Sequence, residues 1–374
     1  MIYFDNAATG GFKPRAVTDS ANTVLRYLSA NPGRSGHRLS LVGAETVYNT
    51  RALLADYFDA SPDRVIFTKN CTEALNVAIF GTLKKGRHVI TTTFEHNSVL
   101  RPLYALKDMG LIDLSIVCPT EELSVEDAIE REINKNTYLI VATALSNVTG
   151  QSLNIDKIGK IAKEHDLLFI VDGAQGGGHL PLSIKDQNVS ALALAGHKGL
   201  LGIMGSGVLI FSDNVDIKPL IYGGTGSESF NLSQPTCYPE RLEAGTLNLP
   251  AIASLFEGVK FIKNNQENFS AHLKNASAFL INGLNKISGV KVYSAPNPAG
   301  IVSFSLENLL SNDVADILNS EYDVAVRGGL HCAPLTHKFL NTDGAGLVRA
   351  SLAVQNSSNE MEFFLRAIKE LSSR

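Results

Sequence analysis

The chain has little cysteine: Cys71, Cys118, Cys237 and Cys332 are scattered through 374 residues, and no CxxC pair occurs. That spread is no disulfide framework and offers no thiolate metal site, so no metal is expected and a reducing cytoplasm is the expected setting. A basic cluster is also missing, and with a net charge of −4 this argues against a nucleic acid partner. No apolar run approaches the roughly 18–20 residues of a membrane span, so none is expected to enter a membrane. The start, Met1-Ile-Tyr-Phe-Asp5, has neither a basic stretch nor a long apolar one, so no signal peptide is expected. Apolar residues at 44% and charged residues at 19% are ordinary for a globular protein, and the length suits a large core in two domains.

What the chain does have is a series of short, continuous apolar runs of the kind that form buried parallel strands. Residues 167–171 (LLFIV) end in Asp172-Gly-Ala-Gln175, and residues 191–194 (ALAL) end near Gly196-His197-Lys198. If both runs are neighbouring strands, one carboxylate and one amine, 26 residues apart, reach the same sheet edge, where open α/β sheets bind ligands. A lysine that can form a Schiff base and an aspartate that can pair with a pyridinium nitrogen suit pyridoxal 5'-phosphate.

Upstream, residues 65–68 read as a strand and 74–83 as a helix, joined by Lys69-Asn-Cys-Thr-Glu73. A strand, a polar turn and a helix point free backbone amides at an anion, with Thr72 adding a hydroxyl and Asn70 with Glu73 fitting a variant capping box. An ordinary capped helix is the alternative. Residues 88–93 form another strand candidate before Phe94-Glu-His-Asn-Ser98, where the His96 ring can lie on a planar cofactor; alone it reads as a surface histidine. Strands at 114–117 and 138–142, with helices at 125–133 and 155–165, continue the alternation that predicts a parallel α/β sheet. Asn147, in Ser146-Asn-Val-Thr-Gly150, can serve a ligand or merely a turn. Near the start, residues 13–29 are amphipathic and 41–59 helical, separated by Asn31-Pro-Gly-Arg-Ser-Gly-His37, where Arg34 and His37 either reach a ligand or face solvent.

Beyond Lys198, four glycines in residues 199–207 permit close backbone approach before a strand at 208–211, and 221–246 is loop-rich. Helices at 251–264 and 270–284, strands at 290–293, 301–305 and 324–327, and a helix at 360–371 indicate a smaller α+β domain. It contains Arg327-Gly-Gly-Leu-His-Cys-Ala-Pro334, a loop that displays Cys332 beside His331 and near Arg327, whose charges would favour a thiolate. Arg349 lies among apolar neighbours, either paired in the core or aimed at a carboxylate.

From Phe4-Asp-Asn-Ala-Ala8 to Arg349-Ala-Ser-Leu-Ala353, these stretches resemble the class V aminotransferase family of fold-type I PLP enzymes, in its cysteine desulfurase and selenocysteine lyase branch. The resemblance implies a large PLP-binding α/β domain (12–250) with a mainly parallel sheet. It also implies a small α+β domain (1–11 and 251–374) carrying the Cys332 loop. Lys198 would hold the cofactor, Asp172 its ring nitrogen and Gln175 its phenolic oxygen, with His96 stacked on the ring. Cys71 (through its backbone), Thr72 and His197 would hold the phosphate. Gly245 and Thr246 would reach the phosphate of a second subunit in a homodimer. Asn147 and Arg349 would grip the carboxylate of L-cysteine or L-selenocysteine, and Cys332 would accept the sulfur for delivery to an acceptor protein. An aminotransferase or β-lyase on the same scaffold is the alternative activity. Ala195 departs from the hydroxyl residue common before Gly-His-Lys, as does the glycine run after Lys198 from Leu-x-Gly-Pro-x-Gly.

Overall fold

A computed structural model describes all residues, 1–374. After a two-residue strand, β1 (Ile2–Tyr3), come helices α1 (Arg15–Tyr27) and α2 (Arg38–Tyr57). Strands and helices then alternate: β2 (Val65–Thr68), α3 (Cys71–Gly81), β3 (Arg87–Thr92), α4 (Asn97–Asp108), β4 (Ile112–Val117), α5 (Val125–Glu132), β5 (Thr137–Thr143), α6 (Ile155–Glu164) and β6 (Leu168–Asp172). Strands β7 (Ala191–Ala195) and β8 (Gly207–Phe211) follow, then α7 (Leu249–Lys263). The remainder is α8 (Gln266–Leu284), β9 (Val290–Val292), β10 (Ile301–Leu306), α9 (Ser311–Tyr322), β11 (Val324–Ala325), α10 (Pro334–Phe339), β12 (Val348–Ser351) and α11 (Ser358–Leu371).

The main sheet has seven strands in the order β2-β8-β7-β6-β5-β3-β4. Strands β4, β3, β5, β6 and β7 are mutually parallel, while β8 runs antiparallel to both β7 and β2. The continuous apolar runs arise because both sheet faces are covered. On β6, Phe169 and Val171 join one core and Ile170 the other; on β7, Leu192 and Leu194 face the first while Ala191, Ala193 and Ala195 face the second. The period of two thus operates inside an unbroken apolar string. The three alanines lie on the side that receives Cys71, Ala74 and Leu75 of α3, so that helix can pack closely on the strand.

The third core joins Phe4 to residues of α8, β10, α9, β12 and α11. Here β12, β10 and β9 form an antiparallel sheet, and β1 pairs in parallel with β11. The N-terminal segment therefore lies with the C-terminal third. Helix α7 does not follow the boundary drawn at residue 250. Its Leu249, Ile252, Leu255 and Val259 belong to the first core, with Val47 and Leu54 of α2. The apolar face of α7 is complementary to helices some 200 residues earlier, a relation that local pattern does not encode. No helix is long and apolar enough to cross a membrane.

Candidate active site

The parallel strands end on one edge, and the polar residues cluster there. Asp172 closes β6, in register with Thr143 of β5 on one side and Ala193 of β7 on the other. Asp172 and Lys198 line a single cavity, together with Cys71, Thr72, His96, Asn147, Gln175 and His197. The Asp172 Oδ1 accepts from the Ala174 amide at 2.9 Å and lies 3.5 Å from the Cys71 sulfur. Those contacts orient the carboxylate while its second oxygen makes no hydrogen bond within the chain. Burial lowers the Lys198 pKa, shifting the group toward the amine that can act as nucleophile or base, while the nearby Asp172 charge opposes that shift. Glycine is required just beyond: a Cβ at Gly199 would sit 2.2 Å from the Gly177 carbonyl oxygen, and one at Gly207 2.4 Å from the Asn70 backbone.

Helix α3 begins at Cys71, and its first-turn amides face the same cavity. The Asn70 side chain caps it, accepting from the Glu73 amide at 2.9 Å, whereas Glu73 reaches back to the Lys69 amide at 2.5 Å. The box is thus displaced one residue from the usual reciprocal form. The Thr72 hydroxyl lies 2.8 Å from that of Ser98. The His197 ring meets the Thr9 hydroxyl at 3.1 Å, and its carbonyl accepts from Gly10 N at 3.0 Å and Lys13 Nζ at 3.1 Å. Burial depresses the His197 imidazole to about 4 and the Lys13 amine to about 8. Free amides and hydroxyls at a helix N-terminus suit an anionic group, and half-buried Lys13 is bonded to the neighbouring His197 carbonyl.

His96 is the N-cap of α4. Its Nδ1 accepts from the Ser98 amide at 3.0 Å, and because a backbone N–H can only donate, the ring proton resides on Nε2. Burial holds this imidazole near 4, so it is neutral at pH 7 and can lie against a planar ring without adding charge. The preceding residue, Glu95, is fully buried. Its Oε1 accepts from the Thr92 hydroxyl at 2.7 Å and the Thr143 amide at 3.0 Å, while Oε2 has no partner. Burial lifts its carboxyl to about 8, so it carries a proton at neutral pH.

Arg349, Cys332, Gly245 and Thr246 do not line the Lys198 cavity. Arg349 is buried on β12 and donates to Asp5 Oδ1 at 3.0 Å and to the Asn147 carbonyl at 2.9 Å, leaving its Nε unpartnered. Asn147 Nδ2 donates to the His331 carbonyl at 2.8 Å. The Cys332 carbonyl accepts from Asn97 N at 2.7 Å. The cysteine loop is thereby fastened at the cavity's rim, with Cys332 exposed and its sulfur 3.9 Å from Arg327 Nη2. Gly245 and Thr246 lie elsewhere: Thr246 borders a second cavity with Phe67 and Glu73, and the Gly245 carbonyl accepts from Arg34 at 3.0 Å.

One expectation is corrected. His331 does not support a Cys332 thiolate with charge, because its ring is turned inward and buried, and burial lowers its pKa to about 2. Arg34 and His37 also stand off the cavity; His37 caps α2 by accepting from the Ser40 amide at 3.3 Å. Reading the sequence missed Ser98, Thr143, Glu95 and Lys13. Thr143 was accessible to the rule that strand C-terminal ends line the site. The others depend on burial and on contacts between distant segments.

This arrangement can be set beside known proteins. A probable cysteine desulfurase of Pyrococcus abyssi is 34% identical over 385 aligned residues, covering 99% of this chain and 94% of that protein. A probable cysteine desulfurase of Methanothermobacter thermautotrophicus is 30% identical, covering 99% and 94%. Among solved structures, the apo cysteine desulfurase of Thermococcus onnurineus NA1 aligns with a TM-score of 0.92 at 33% identity, covering 100% of this chain and 94% of that one. The family model "Aminotransferase class-V" matches residues 2–364, and the chain belongs to that family.

Proposed function

We propose that the protein is a PLP-dependent cysteine desulfurase, converting L-cysteine to L-alanine while its sulfur passes to Cys332. The observation that carries this reading is the convergence of Asp172 and Lys198 in one cavity, with the cysteine loop pinned at its rim by Asn97 and Asn147. The donor set fits the cofactor. The α3 N-terminus, Thr72 and His197 suit its phosphate, and the free oxygen of Asp172 suits a protonated ring nitrogen. Neutral His96 suits a ring face, and the Gln175 amide, fixed by donating to the Ala7 carbonyl at 2.9 Å, suits the phenolic oxygen. Bound there, PLP supplies an electron sink for a carbanion at the substrate Cα.

The chain's own residues account for the remaining work. The Lys198 amine, its pKa lowered by burial, takes up and returns the Cα proton. Asp172 keeps a proton on the ring nitrogen. Arg349 and Asn147 are the candidates for gripping the substrate carboxylate; Arg349 would exchange its Asp5 partner for it. Cys332 thiolate attacks the substrate sulfur: the new S–S bond forms, the Cβ–S bond breaks with its electron pair moving to carbon, and a protein persulfide remains. Arg327 Nη2 lies 3.9 Å from that sulfur. The persulfide then goes to a sulfur acceptor. Fully exposed Phe230 and Leu232, in the loop that also carries Gly245 and Thr246, support a homodimer in which that loop serves the other subunit.

The test is incubation with PLP and L-cysteine, scoring alanine and sulfide against pyruvate. Alanine is expected; pyruvate or a keto acid as the main product would overturn the reading in favour of a β-lyase or aminotransferase. Cys332→Ser should abolish sulfide release from L-cysteine. Retained turnover of L-selenocysteine by that variant would mark a selenocysteine lyase.

A further inference from the structure

Two consecutive residues that are not glycine, His331 and Cys332, occupy left-handed backbone conformations with φ of 51° and 56°. Such geometry is strained for any residue with a Cβ and persists only where the surroundings enforce it. Cys332 contributes no strong side-chain anchor, since the residue is exposed and its sulfur's one hydrogen-bond contact is Arg327 Nη2 at 3.9 Å. The anchor is the His331 ring. Its Nε2 lies 3.2 Å from the Arg327 carbonyl, and its Nδ1 lies 3.5 Å from Nε2 of His337, a fully buried residue on α10. The two imidazoles meet edge to edge and nearly coplanar, with centroids 5.6 Å apart and planes inclined by 21°. The far nitrogen of His337 meets the Thr342 hydroxyl at 2.9 Å.

The direction of this chain follows from its end. A carbonyl only accepts, so His331 Nε2 carries the proton and His331 Nδ1 is an acceptor. His337 Nε2 must then be protonated, His337 Nδ1 accepts, and the Thr342 hydroxyl donates. Both rings are neutral, since burial lowers each imidazole's pKa. Helix α10 is itself latched to the end of β3: Thr336 Oγ1 donates to the Thr93 carbonyl at 3.0 Å, and Thr93 Oγ1 to the Leu335 carbonyl at 3.2 Å. The chain therefore ties the cysteine loop to a fixed support.

We propose that His337 is a positioning residue for sulfur transfer, acting through His331 to hold the left-handed turn that presents the Cys332 sulfur. The proposal rests on Cys332 being the sulfur acceptor. A phenylalanine would fill the space of His337 but donate nothing, whereas a glutamine amide can still donate to His331 Nδ1.

The experiment compares purified holoenzymes of wild type, His337→Phe, His337→Gln, Thr342→Val and Cys332→Ser. Alanine formation, the cofactor's visible absorption band, and the iodoacetamide alkylation rate of Cys332, resolved by peptide mass spectrometry, are measured for each. His337→Phe should keep the absorption band and the KM for cysteine but lose at least about tenfold in kcat, as small misplacements of reacting groups do. Its Cys332 alkylation rate should change with kcat. His337→Gln should recover most of both, and Thr342→Val should lose about threefold, the scale of one neutral hydrogen bond. Wild-type kcat and alkylation in His337→Phe would overturn the proposal. So would a His337→Gln variant as impaired as the Phe variant. Should His337→Phe not fold, wild-type rates in Thr342→Val would overturn it equally. Undiminished activity in Cys332→Ser would remove the underlying reading of Cys332. An inactive Cys332→Ser beside an unimpaired His337→Phe would remove only the role of His337.

Discussion

Replacing Glu95 with glutamine should change how stability depends on pH. Its carboxyl is raised chiefly by burial from 4.5 to about 8, despite hydrogen bonds from Thr92 and the Thr143 amide that favour the charged form. Between those values the folded chain holds a proton that the unfolded chain has released. Stability from this group is therefore fully present below pH 4.5 and is lost as pH rises toward 8. The slope is about 1.4 kcal/mol per pH unit, so two units, from pH 5.5 to 7.5, remove about 3 kcal/mol. Glutamine copies the protonated acid: its oxygen accepts from Thr92 and Thr143, and its amide occupies the position of the unpartnered Oε2. The buried histidines add pH dependence of the opposite sign, but they are common to both proteins and cancel in the difference. Urea unfolding of the apoproteins at pH 5.5, 6.5 and 7.5 is the assay. Glu95→Gln should gain on wild type steadily, by about 3 kcal/mol across the range. A difference that stays constant, or one in which the variant falls behind as pH rises, would show that Glu95 is ionised in the folded protein and refute the reasoning.

Two further outcomes follow from contacts around the same sheet. Asn70→Ala removes the cap on α3 and should cost about 1 kcal/mol in urea unfolding; the loosened first turn should weaken PLP binding about two- to fivefold, read by titration of the apoprotein. Glu243→Ala leaves Arg51 charged and buried, because the pair lies at 2.6 Å with side chains only 6% and 8% exposed. Loss of about 3–5 kcal/mol is expected, measured as a lower urea midpoint. A double replacement by apolar residues of matching size should restore most of it.

Much of the fold was legible because its pattern is local. Unbroken apolar runs of four or five residues, alternating with amphipathic stretches, require strands covered on both faces. Chain connectivity then sends each strand's C-terminal end to one edge, which is why Asp172 and Lys198 could be paired from sequence. The antiparallel course of β8 was not legible, since a buried run reads alike in either direction.

Residue order along the chain was enough for the repertoire: a sheet edge bearing a carboxylate and an amine, a helix start suited to an anion, and a cysteine in a loop with two glycines before it and a proline after. Tertiary structure alone decided how these groups are held and charged. Arg349 meets Asp5 across 344 residues, His331 turns inward instead of charging Cys332, and Glu95 keeps its proton. The reason is physical. Periodicity is written along the chain, whereas ionisation and pairing depend on dielectric surroundings and on neighbours that only folding brings together.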